Sequence, residues 1–163
     1  MEHQAPAIFV ALEQSGFAAA IRQSLWLYPF ANVGHIVALA CFAGAVAVMD
    51  LRLIGAFAAT VPARLIGQAR GFAIAALCGL ALTGSLLFSA EASHVITNPV
   101  FQFKLFLIAL GLANVAIYEF GTKRQVEQIP AGVRMPTAAR AAGFLSLGLW
   151  LAVAACGRSI AYF

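Results

Sequence analysis

Five side chains in this sequence have the chemistry to hold a cofactor. His35 stands inside a long apolar run, 26–49, that contains no formally charged residue. An ionisable group at that depth marks a functional site, because hydrocarbon offers it no partner. Neutral imidazole ligates haem iron and other metals, and it also carries protons. Asn32 lies one helical turn before it, on the same face. His94 falls between the second and third apolar runs and becomes a second ligand if its loop folds over His35. Lys104 and Arg158 are cations suited to a haem propionate, although Lys104 can instead snorkel to the interface or meet Glu91. The candidate site is therefore His35 and His94 as metal or haem-iron ligands, with Asn32, Lys104 and Arg158 around the cofactor. The competing reading is a His35 bonded to a neighbouring helix and a solvated His94. His3, near the N-terminus, is given no role.

Other polar residues fit structural duties. Lys104, Gly111, Asn114 and Tyr118 recur at helical spacing and share one face. Asn114, near mid-membrane, is expected to bond another helix. Glu119 is expected to pair with Lys123 or an arginine. Asp50 and Arg52 are expected to clamp the end of the first span by pairing with charges on other spans. Ala75, Gly79 and Thr83 form a row of small residues that lets another helix approach. Cys41, Cys78 and Cys156 form no CxxC pair, and no phosphate-loop, zinc-protease or nucleophile-elbow motif is present.

The solvent for these residues follows from composition. Of 163 residues, 63% are hydrophobic and 10% charged, with a mean hydropathy of +0.91. Soluble domains carry about 25% charged residues, so this chain lacks the polar surface of a water-soluble monomer. The net charge of +4 is not gathered into a basic stripe, which excludes a nucleic-acid partner. Crossing ~30 Å of hydrocarbon takes ~20 apolar residues. Four runs qualify: 26–49, 71–90, 101–120 and 141–161. They are continuous and not alternating, so they read as helices. The expectation is an all-α integral membrane four-helix bundle, residues 25–163, preceded by an interfacial amphipathic helix, residues 1–24. Ser15 is placed to cap a second short helix in that segment. A short amphipathic helix is expected between Asp50 and Arg70, and an irregular loop between Gly121 and Arg140.

Arginine and lysine set the expected orientation. Arg52, Arg64, Arg70, Lys123, Arg124, Arg134 and Arg140 lie on one side; Arg22, Lys104 and Arg158 lie on the other. The richer side is expected to be cytoplasmic, which puts both termini on the periplasmic face of a bacterial inner membrane.

The string Ser24-Leu25-Trp26-Leu27-Tyr28-Pro29, then His35, then Met49-Asp50-Leu51-Arg52-Leu53-Ile54-Gly55, resembles an uncharacterised family of small bacterial four-helix membrane proteins. Asn98-Pro99-Val100-Phe101 with Lys104 and Asn114 is similar to a second signature of that family. The arrangement is loosely similar to copper-resistance D and cytochrome b561-like proteins, which bind haem between helices through intramembrane histidines. That resemblance implies haem b and electron transfer, with quinone or a periplasmic donor as redox partner. A different class of reading stays beside it: a non-catalytic subunit of a larger membrane complex, or a homo-oligomer, packed through its small-residue faces. A transporter is disfavoured, because His35 alone is ionisable deep in the membrane.

Overall fold

A computed structural model describes residues 5–162; His3 and the rest of the first four residues lie outside the described residues. Two short helices come first, α1 (Ala7–Glu13) and α2 (Gly16–Gln23). Ser15 caps α2, its Oγ accepting from the Ala18 N–H at 3.2 Å. Two long helices follow, α3 (Leu27–Ile54) and α4 (Pro62–Ala90), then the short α5 (Ala92–Thr97). The next long helix runs from Pro99 to Glu127 in three joined parts: α6 (Pro99–Ile117), a π-helical turn (Tyr118–Thr122) and α7 (Lys123–Glu127). The last is α8 (Thr137–Ser159). The chain is all-helical over its described residues, and four helices are long and apolar enough to cross a membrane. Each keeps its backbone bonds within itself, which hydrocarbon demands.

Two connections differ from expectation. Pro62 does not start a separate surface helix but opens α4 itself. Proline suits a first turn because its missing N–H has no partner there anyway. The third long helix continues to Glu127, so the irregular stretch shrinks to residues 128–136. The π-helical turn absorbs the change of register, and Lys123 pairs with Glu119 across it. At the end of α3, Gly55 adopts a φ of +126°, and the Ala56 N–H reaches back to the Leu51 carbonyl at 2.8 Å.

The long helices form an arc. α3 packs along α4 on one side and α8 on the other, and α8 packs along α6. The arms of the arc, α4 and α6, are joined chiefly at their ends. At the α5 end Phe88 stacks on Phe101 with ring centroids 5.6 Å apart. At the α7 end Arg70 on α4 pairs with Glu119 at 2.8 Å. Close approach relies on glycine at two crossings. A Cβ on Gly143 would lie 2.9 Å from the Asp50 carbonyl oxygen, and one on Gly111 3.0 Å from the Trp150 ring. Large apolar residues such as Phe72, Leu82 and Ile117 are exposed on the outside of the arc. In a bilayer these faces meet acyl chains, so their exposure carries no hydrophobic penalty.

The first segment clasps the α5 end. Arg22 donates to the Glu13 carbonyl at 2.9 Å and to the Ala90 carbonyl at 2.8 Å, closing the C-terminus of α4. Glu13 accepts from the Ser93 N–H at 2.7 Å and from the Ser93 hydroxyl, which ties α1 to α5.

Candidate functional site

His35 lies eight residues into α3, about 12 Å along the helix axis. Its ring is half-buried and sits against α4. Nδ1 is 2.8 Å from Thr83 Oγ1, and a Cβ on Gly84 would lie 3.2 Å from Cε1. The row of small residues on α4 makes this contact. Gly79 packs against Ala38, Thr83 against Gly34, and Gly84 against the imidazole.

The hydroxyl of Thr83 has one proton, and it goes to the Gly79 carbonyl at 2.7 Å. Its oxygen is then free to accept from His35, and on that ground we assign the imidazole proton to Nδ1. Nε2 is left with a free lone pair. This is how metal-binding histidines are commonly held: one nitrogen donates to an orienting group and the other is the ligand. Thr83 is the partner that the sequence reading missed. Its only signal there was membership of a small-residue row.

The other candidates fall into two groups. Lys104, on α6, is half-buried. Its Nζ reaches toward Gly157 on α8. Among the described residues the ion pairs are those of Glu119 with Arg70 and Lys123, and of Lys123 with Glu127; Lys104 is in none. Asn32 is exposed on the outer face of α3, one turn from His35. His94 is exposed on α5. The hydrogen-bond partner of His35 is Thr83 and not His94. Arg158 donates to the Tyr162 hydroxyl at 2.5 Å, and its guanidinium stacks 4.7 Å above that ring. The structure thus brings Thr83 to His35, sets Lys104 against α8, leaves Asn32 and His94 exposed, and gives Arg158 to Tyr162.

The remaining polar residues do structural work. Asn114 Nδ2 donates to the Ala142 carbonyl at 3.0 Å and so joins α6 to α8. Glu119 holds both Arg70 and Lys123. Arg52, almost fully buried, donates to the Thr60 carbonyl at 2.9 Å and pairs with no carboxylate among the described residues. The expected ion pair is replaced by a carbonyl because the α3–α4 turn folds back over the guanidinium. Asp50 likewise has no ion pair there. Among the described residues no group of three or more His, Cys, Asp or Glu side chains is placed to hold a metal ion.

No curated protein and no solved structure matches this chain. Residues 13–163 match a family of unknown function, DUF6644, and the chain belongs to that family.

Proposed function

We propose that this membrane protein holds a b-type haem in the half of the bundle nearer α5, with His35 Nε2 as an axial ligand, and takes part in electron transfer. The observation that carries the reading is the Thr83 hydrogen bond, which orients the imidazole and keeps the Nε2 lone pair available. Lys104 supports it as a half-buried cation with no ion pair among the described residues, suited to a propionate. Bound haem would supply a one-electron couple. His35 would fix and tune the iron, Lys104 would offset propionate charge, and the apolar helices would exclude water. The reading uses one histidine, His35, with His94 exposed on α5. It shares the use of an intramembrane histidine with copper-resistance D and cytochrome b561-like proteins. The basic residues gathered at one end of the bundle, Arg52, Arg64, Arg70, Lys123, Arg124, Arg134 and Arg140, support a bacterial inner-membrane location with both termini outside.

The test is an absorption spectrum of gently solubilised protein, oxidised and then reduced with dithionite, beside a His35→Ala variant. A Soret band that moves on reduction and is lost in the variant supports the reading. A colourless, well-folded wild type overturns it and leaves His35 as a helix-packing residue.

A further inference from the structure

A second site lies in the other half of the bundle. The arc of helices encloses a cavity of about 260 Å³, from Phe42 on α3 down to α7. Its wall between α4 and α6 is incomplete. Ile74, Leu112 and Val115 line it and yet are 53%, 45% and 46% exposed, so the cavity opens sideways to the acyl chains. The Arg70–Glu119–Lys123 pairs lie at its α7 end, and the π-helical turn supplies Tyr118 and Glu119 to its wall. Such turns in α-helices are frequent at functional sites.

Ser146 of α8 stands at the Asp50 carboxyl, but two polar atoms in this wall have no partner. Asp50 is 4% exposed, and neither its Oδ2 nor Trp150 Nε1 makes a hydrogen bond among the described residues. Groups shut off from water and left unpaired are rare in folded proteins because they are costly. One is an acceptor and the other a donor. A hydroxyl group is both at once, so a single ligand chemistry answers the pair. Phe42, Trp150 and Tyr118 line the same space, which favours an aromatic ring edge-on or offset to them. The volume suffices, since a cavity of roughly 150 Å³ takes up benzene. The aliphatic opening gives a hydrocarbon tail its way out.

We propose that this cavity binds a lipid-soluble hydroquinone, one ring hydroxyl donating to Asp50 and the other accepting from Trp150, its tail leaving between α4 and α6. The site shares no residue with the haem reading and does not depend on it.

The chain has two tryptophans, so Trp26→Phe makes Trp150 the sole indole. That protein, in lipid nanodiscs, is titrated with decyl-benzohydroquinone and with its dimethyl ether. The expected result is a saturable change in Trp150 emission. The dimethyl ether, which cannot donate, should bind at least tenfold more weakly, as should the hydroquinone to Asp50→Leu. A response that never saturates, an ether that binds as tightly as the hydroquinone, or an Asp50→Leu protein that binds like wild type overturns the proposal. The ether arm needs no substitution at Asp50 and so stands whatever that variant does. Repeating the titration with His35→Ala separates the two readings: saturation that survives there supports this site whether or not haem is bound.

Discussion

Replacing Thr83 with valine tests how His35 is held, since valine keeps the branched shape and removes only the hydroxyl. Three groups surround that hydroxyl: the Gly79 carbonyl at 2.7 Å, the Leu80 carbonyl at 3.5 Å and His35 Nδ1 at 2.8 Å. The carbonyls belong to α4 and keep their helical hydrogen bonds without it. Nδ1 alone is orphaned. Leaving a buried donor unpaired costs about 1–3 kcal/mol, whereas hydrogen bonds between membrane helices average about 0.6 and reach about 1.7 kcal/mol. His35 is half-buried, so the lower membrane range of about 0.6–1.7 kcal/mol is the expectation for Thr83→Val. Unfolding in mixed micelles with rising SDS measures that loss. The sharper readout is the protonation of the ring. With imidazole 15N labelling, and His35→Gln to assign the signal among three histidines, wild type should show a protonated Nδ1 and a bare Nε2. In Thr83→Val that bias should relax to a mixture of tautomers. A wild-type ring protonated on Nε2, or a variant with unchanged tautomer and stability, would refute the argument that Thr83 keeps Nε2 free.

Three further outcomes follow from the packing. Gly143→Ala should destabilise the bundle, because the new Cβ would meet the Asp50 carbonyl oxygen at 2.9 Å and Leu53 Cβ at 3.1 Å; overpacking costs about 1–3 kcal/mol and outweighs the gain of about 1 kcal/mol in helix propensity, as SDS unfolding will read. Asn114→Leu removes the α6–α8 bond to Ala142 and should cost about 0.6–1.7 kcal/mol in the same assay, while leaving the helix content by circular dichroism unchanged. The Ser93 hydroxyl and N–H hold the Glu13 carboxyl below its usual range, so the α1–α5 latch contributes fully at neutral pH and is lost as pH falls below about 4.5 through the folded value. Amide exchange in α1 should therefore speed up in acid beyond the intrinsic rate, and Glu13→Gln should abolish that pH dependence.

Composition alone decided the solvent and the number of crossings. With so little charge, four apolar runs of about 20 residues have no stable home except hydrocarbon. Local chemistry was legible too. Ser15 caps α2, Asn114 joins two helices, and Glu119 takes Lys123 one turn away because the groups concerned are near in sequence or forced to find a partner in lipid. Helix ends were less legible: Pro62 reads as a break but opens α4, and a π-helical turn carries the third crossing past Phe120. What remained hidden was which face meets which helix. In water the polar face of a helix points outward and names the buried one. Here both faces of α3 and α4 are apolar, so periodicity gives no such direction. That His35 finds Thr83, 48 residues away, and that Asp50 and Trp150 share a cavity, depended on glycines that let particular helices close in. Only the tertiary arrangement supplies that information, because association in lipid is settled by shape and hydrogen bonding and not by hydrophobicity.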